Sequence, residues 1–330
     1  MSKTSQTRIA QAISDLNYRP NALARSLVTK RTFSVGVVID DMTATFIVPL
    51  IEGLERGLLE ADTPHPYTII YTNSRGDAER KRLQMDYMTQ GRVDGIILYG
   101  SMVFDDELIR QLRNMNFPLV LVENDLADVG VHKVVIDNVG GAFAATEHLI
   151  KLGHRKIAHI GGNMNLKITM ERMNGYVNAL QQYGIPVNPD RIIFPDFRDF
   201  REWKSERGGH SQMYYTRGYE EMKKLIDKDR IPEALFFATD LSAFGAIRAL
   251  KEAGLDVPKD VSIIGFDDES AAAPLLDAYP ITTMRQPLLQ AGGASVKMLI
   301  DSLEQPDKPP ERKVLDTQMI LRDTTMERRR

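Results

Sequence analysis

Cysteine is absent from all 330 residues, which excludes a disulfide framework, thiolate metal sites and a cysteine nucleophile. Long apolar runs are also missing. None approaches the roughly 20 residues of a membrane span, and the polar N-terminus does not read as a signal peptide, so a cytoplasmic protein with no membrane partner is expected. Motifs that carry chemistry are lacking as well. The histidines His65, His132, His148, His154, His159 and His210 show no HxxxH or HExxH spacing. The glycine pairs Gly140-Gly141 and Gly161-Gly162 fit neither GxGxxG nor GxxxxGK[ST], and no serine sits in GxSxG. The expectation is therefore no enzyme, no catalytic residues, no cofactor and no metal.

Charge is nearly balanced at −3, but it is unevenly spread. Residues 1–32 set Lys3, Arg8, Arg19, Arg25, Lys30 and Arg31 against Asp15 alone, giving +5 and leaving −8 for the remainder. A basic arm on an acidic body suits a chain that meets a polyanion at one end only. The plainer alternative is a solvated terminus. Thr7–Asn17 reads as a short amphipathic helix, followed by Tyr18-Arg19-Pro20-Asn21 and then by Ala22–Arg31.

From Phe33 onward, strand and helix patterns alternate. Ser34–Ile39 is a continuous apolar run, as expected of a strand buried on both faces of a parallel sheet. Further strands are expected at Thr68–Tyr71, Gly95–Leu98, Leu119–Val122, Val134–Ile136, Lys156–Ile160, Ile192–Phe194, Ala234–Ala238, Val261–Phe266 and Ile281–Met284. Helices are expected at Phe46–Ala61, Ala78–Gln90, Asp106–Met115, Gly141–Lys151, Thr169–Tyr183, Arg217–Asp227, Leu241–Ala253 and Leu288–Leu303. Repeated β-α units point to a doubly wound α/β fold, with too many strands for one open sheet. Two sheets are expected, with the break at Gly161-Gly162.

Several segments in order carry a resemblance: YRPNALARSLVTKRT (Tyr18–Thr32), RVDGIIL (Arg92–Leu98), IDN (Ile136–Asn138), EHLIKLGHRKIAHIGG (Glu147–Gly162), ERMNGY (Glu171–Tyr176), DVPKDVSIIGFDD (Asp256–Asp268) and TTMRQP (Thr282–Pro287). From Tyr18 to Thr324 the chain resembles the lactose-repressor/galactose-repressor (LacI/GalR) family of bacterial transcription regulators. The resemblance implies two Rossmann-like subdomains of periplasmic-binding-protein type joined by three crossover strands, with an effector in the cleft between them. It implies residues 1–32 as a partial DNA-binding headpiece and hinge helix. The body would divide into 33–160 plus 284–314 for the first subdomain, and 161–283 plus 315–330 for the second. Leu27 matches the leucine wedge that kinks the minor groove, within a DNA-binding set of Arg19, Asn21, Ala24, Arg25 and Leu27. Lys30 and Arg31 would add phosphate attraction. The first two headpiece helices have no counterpart before Met1.

Effector candidates sit where strands end, as the crevice rule for open α/β sheets requires. They are Phe46, Glu123, Asn124, Asp137, Arg172, Phe197, Thr239, Asp267 and Gln286, with Asp41, Asp240 and Asp268 nearby. Carboxylates accept paired hydroxyls, arginine donates to hydroxyl oxygens and Phe46 stacks on an apolar sugar face. Each acid also has a plainer role available, capping a helix at a βα junction. Family positions are altered at Ala44-Thr45, at Asn124 (often arginine) and at Thr239 (often asparagine), so an unusual ligand is expected. Asp196–Arg217, containing Phe197, Phe200, Trp203, Tyr214 and Tyr215, is long enough to read as a lid or binding loop. The expected function is a ligand-responsive, homodimeric repressor that binds operator DNA and senses a carbohydrate. The alternative is a free-standing sugar- or nucleoside-binding module without productive DNA binding.

Overall fold

The computed structural model describes residues 29–197, 209–269 and 280–328, together with Ser5, Arg8, Gln11, Ala12 and Asp15. The DNA-contact candidates Arg19, Asn21, Ala24, Arg25 and Leu27 lie outside these described residues, as do Phe200 and Trp203.

The first sheet holds β1 (Ser34–Ile39), β2 (Thr68–Asn73), β3 (Gly95–Tyr99), β4 (Leu119–Val122), β5 (His132–Ile136) and β11 (Arg312–Leu315), in the order β11-β5-β4-β3-β1-β2. All its pairings are parallel. The apolar run in β1 is explained by cover on both faces. Val35, Val37 and Ile39 enter one core with α1 (Val48–Leu59) and α8 (Leu288–Glu304). Val38 points the other way, towards α2 (Ala78–Thr89) and α3 (Asp105–Asn114). A short 3₁₀ turn, Thr45–Ile47, leads into α1, whose first turn carries Pro49, a residue suited to a position whose N–H has no helical partner.

The second sheet holds β6 (Ile157–Ile160), β7 (Ile192–Ile193), β8 (Ala234–Phe237), β9 (Ser262–Asp267), β10 (Thr282–Arg285) and β12 (Gln318–Ile320), in the order β12-β10-β9-β8-β6-β7. Only β12 runs antiparallel, against β10. Its helices are α4 (Asn138–Lys151), α5 (Lys167–Gln182), α6 (Gly209–Asp227) and α7 (Asp240–Glu252). Among the described residues the chain passes between the sheets three times: at Asp137, at Gln286-Pro287 and at Asp316-Thr317.

This topology corrects the expected boundaries. The first passage comes at Asp137 and not at Gly161-Gly162, because β6 pairs with β7 and β8 in the second sheet. Helix α4 goes with it, burying Ala142, Ala145, Leu149 and Ile150 against Tyr176, Phe236 and Phe266. Met284, expected to open the return to the first unit, lies in β10 of the second sheet, and Leu315 pairs in the first. The lid reading of Asp196–Arg217 also changes. Helix α6 starts at Gly209, so Tyr214 and Tyr215 are helical residues, and Tyr214 is buried.

The arm's root is tied to the first lobe. Arg31 donates to the Tyr67 hydroxyl at 2.9 Å and to the Leu303 carbonyl at 2.6 Å, and it pairs with Glu304. Thr32 and Phe33 donate backbone N–H groups to Asp94 at 2.7 and 2.9 Å. Arg31, expected to attract phosphate, is instead an anchor.

Each helix pair closes over glycines. A Cβ on Gly53 of α1 would lie 2.1 Å from the Leu289 carbonyl of α8, and one on Gly245 of α7 would lie 2.0 Å from the Tyr215 carbonyl of α6. Backbone cannot yield as a flexible side chain does, so Gly53→Val and Gly245→Val should each destabilise by about 1–3 kcal/mol or more. Denaturant unfolding indistinguishable from the parent's would contradict this packing.

Candidate functional site

The carboxyl ends of both sheets face a common cleft. Its cavity is small, about 70 Å³, and is walled from the first lobe by Asp40, Asp41, Phe46, Tyr99, Ser101 and Glu123 and from the second by Asn163, Leu166, Ile168 and Tyr214. Ligand pockets typically measure ~300–1,000 Å³, so the two lobes stand closed on one another. Their closure is held by backbone as well as side chains. Lys167 N donates to the Ser101 carbonyl at 2.9 Å, Val103 N donates to the Asn165 carbonyl at 2.9 Å, and Met102 bridges Leu166. Lys167 also reaches Asp106 and, at 3.3 Å, the Asn124 side-chain oxygen.

Six polar side chains on the cavity wall have a buried atom with no close protein hydrogen-bond partner: Asp40 Oδ2, Asp41 Oδ2, Tyr99 Oη, Ser101 Oγ, Glu123 Oε1 and Asn163 Nδ2. An unpaired buried polar atom is costly, commonly about 1–3 kcal/mol. Groups left in this state around one cavity mark a place where a polar ligand completes the bonding.

Behind the wall lies a carboxylate-rich network built on Arg172, which is 3% exposed. Its guanidinium lies 3.8 Å from the Phe266 ring centroid. It donates to Asn138 at 3.0 Å, to Asp267 at 3.2 Å and to the Ala238 carbonyl. Gln286 adds a 2.7 Å bond to the same Asp267 oxygen. Asp267 has φ +110° and Glu123 φ +63°, left-handed conformations unusual for side-chain-bearing residues, placed where two strands end. Burial pushes the Asp267 carboxyl up to about 6, with Arg172 opposing. Burial also pushes Glu123 up to about 7; Arg172 pulls it down and Asp267 pushes it up.

Of the expected ligand residues, the cavity brings together Phe46 and Glu123. Arg172, Asp267 and Gln286 form the network behind them, and Asn124 is fully buried beside Lys167. Asp137 and Thr239 are helix caps: Asp137 accepts from Gly140 N at 2.7 Å and Thr239 from Ser242 N at 3.3 Å. Neither lines the cavity. Phe197 is 5% exposed and packs in the second core, 4.9 Å from the Tyr214 ring. Asp240 is buried and accepts from Thr283 Oγ1 at 2.7 Å and Glu269 N at 3.0 Å, and Asp268 pairs with Arg285 and Arg322. Both are structural.

Sequence reasoning missed Tyr99, Ser101, Asn163, Glu269 and Lys81. Tyr99 directly follows the expected strand Gly95–Leu98, and Ser101, Asn163 and Glu269 each come three residues after an expected strand, which was the available signal. Lys81 is completely buried between Asp40 at 2.5 Å and Asp105 at 2.7 Å. Burial alone would lower its pKa, but the two carboxylates outweigh burial and raise it. Glu269 reaches from the second lobe to the Thr45 hydroxyl and the Phe46 amide of the first. Burial, followed by Asp267, pushes its carboxyl up to about 8.

These raised carboxyls bind protons in the folded chain that the unfolded chain releases near pH 4. Their contribution to stability is complete below that pH and is lost as pH rises through about 6, 7 and 8 for Asp267, Glu123 and Glu269. Thermal unfolding should therefore show a falling melting temperature from pH 6 to about 8.5, with a shallower fall in Glu269→Gln. A melting temperature that rises over this window would contradict the assignment.

Comparison with known proteins bears on this site. A family model described as periplasmic binding protein-like domain matches residues 146–325, and one described as periplasmic binding proteins and sugar binding domain of LacI family matches residues 32–196. The HTH-type transcriptional regulator RegA of Clostridium saccharobutylicum is 31% identical, over 99% of this chain and 92% of its own. Among solved structures, a complex of the transcriptional regulator CelR with cellobiose superposes with a TM-score of 0.74 at 28% identity, covering 98% of this chain and 91% of that one. A LacI-family regulator from Enterococcus faecium with bound ribose gives 0.71 at 26% identity, covering 90% of this chain and 100% of that one. The relatives are transcription regulators rather than enzymes, and both the length matched and the fold agree: this chain belongs to the LacI family.

Proposed function

We propose that the protein is a repressor that senses a small polyhydroxylated ligand, a sugar, in the inter-lobe cleft and relays its binding to operator DNA. The observation that carries the reading is the cavity wall: unpaired buried oxygens and nitrogens of Asp41, Ser101, Glu123 and Asn163 beside the rings of Phe46, Tyr99 and Tyr214. A pyranose or furanose offers both hydroxyls for the first and an apolar face for the second. The cellobiose- and ribose-bound relatives support the same chemistry. DNA contact is assigned to Arg19, Asn21, Ala24, Arg25 and Leu27, whose sequence matches the family hinge.

The working cycle is a shift between lobe arrangements. Ligand entry requires the Lys167, Val103 and Glu269 contacts to part, and ligand binding then favours whichever arrangement pairs its hydroxyls. A coupling of ~1–3 kcal/mol between cleft and DNA site is enough for a usable switch. A homodimer presents two hinges to a two-fold operator. Helix α1 is assigned to its interface, because it exposes Val48 at 53% and Leu59 at 86%.

Two experiments test this reading. In a thermal-shift screen against sugars, sugar phosphates and nucleosides, a cognate sugar at a hundred times its Kd should add about 2.7 kcal/mol of stability. A nucleoside hit with no sugar hit would replace the proposed ligand class. Sedimentation at tens of micromolar should show a dimer, and a monomer alone would remove the interface assignment.

A further inference from the structure

Resting on the sugar-sensor reading, we propose that the ligand carries an ammonium group, as an amino sugar does, seated between the carboxylates of Asp41 and Glu123. The first ground is the charge on the cavity wall. Among the described residues it holds the carboxylates of Asp40, Asp41 and Glu123, and no lysine, arginine or histidine. Asp40 already has its counter-ion in Lys81. The nearest guanidinium, Arg172, is committed to Asn138, Ala238 and Asp267 behind the wall. Asp41 and Glu123 are thus left facing the cavity without a cation of their own.

The second ground is the state of those two side chains. Asp41 is 8% and Glu123 6% exposed; Asp41 Oδ2 has no partner, and Glu123 has a neutral donor beside it, the Tyr99 hydroxyl, in place of a cation. Asp41 is also fixed in direction, since its other oxygen accepts from the Thr43 backbone N–H at 2.8 Å and the Thr43 hydroxyl at 2.7 Å. Hydroxyls of a neutral sugar would satisfy the hydrogen bonds without balancing Asp41, or Glu123 in its ionised form. An ammonium supplies donors and charge together.

The third ground is aromatic. Phe46, Tyr99 and Tyr214 line the same cavity, and ring faces attract cations when water is excluded. By the same reasoning, sugar phosphates and uronic acids are rejected: a second anion would meet desolvated carboxylates with no counter-charge.

The test is titration calorimetry of the whole chain at neutral pH with glucosamine, galactosamine and mannosamine, each beside its parent hexose, its N-acetyl form and its 6-phosphate. At least one amino sugar should bind about tenfold or more tighter than its parent and its N-acetyl form, with no detectable binding of the phosphate. Glu123→Gln and Asp41→Asn should each lower the ratio of amine to parent affinity towards one, whatever they do to both affinities. If one variant fails to fold, the other carries the measurement. A parent sugar that binds as tightly as its amine, or a phosphate that binds at all, overturns the ammonium proposal while leaving the sugar-sensor reading standing. Binding of none of these sugars overturns the ammonium proposal, and the wider thermal-shift screen then decides the sugar-sensor reading.

Discussion

A single guanidinium sets the terms for the centre of this molecule. Arg172 lies on Phe266, bonds the carbonyl at the end of β8 and the acid at the end of β9, and holds Asn138 at the point where the chain first changes sheets. It is surrounded by buried acids: Glu123, Asp267, Asp240 and Glu269 all have carboxyls raised above their ordinary range, with burial the leading cause in each. One positive charge cannot balance so many ionised carboxylates in a medium that screens poorly. Burial therefore favours the protonated form of these carboxyls beside the one ion pair.

The contact between the lobes is polar as well. The lobes meet through a few backbone hydrogen bonds, a lysine bridging to Asp106 and a glutamic acid reaching Thr45, rather than through a shared apolar core. The hydrophobic clusters stay within their own lobes. Polar contacts of this kind exchange with water at little net cost, and neither lobe's core depends on them.

Much of the architecture was legible because parallel strands covered on both faces are written as unbroken apolar runs, as in Ser34–Ile39 and Ala234–Phe237. Which sheet a strand joins is not a local property. Ile157–Ile160 looks like any other buried strand, and only its pairing with β7 and β8 moves it and α4 to the second lobe. The two last strands escaped notice because they are edges with exposed Arg312, Lys313 and Gln318 in place of an apolar run. At the site, strand ends gave the correct neighbourhood but not the roles. Asp137 and Thr239 cap helices, the ordinary work of such residues at βα junctions. The burial of Lys81 had no local sign, because its two acids come from β1's end and from α3.

Helix α8 has a mechanical consequence. Its N-terminal end follows Gln286, which is bonded to Asp267 in the cleft, and at its C-terminal end Leu303 and Glu304 hold Arg31 at the root of the arm. Seventeen residues separate the two, a rigid rod of about 25 Å at 1.5 Å per residue. Locked to α1 at Gly53, the rod moves only with its lobe, and a lobe rotation of about 10° about the cleft would carry its far end by roughly 4 Å. A small rotation at the cleft would thereby be enlarged at the residue from which the arm departs.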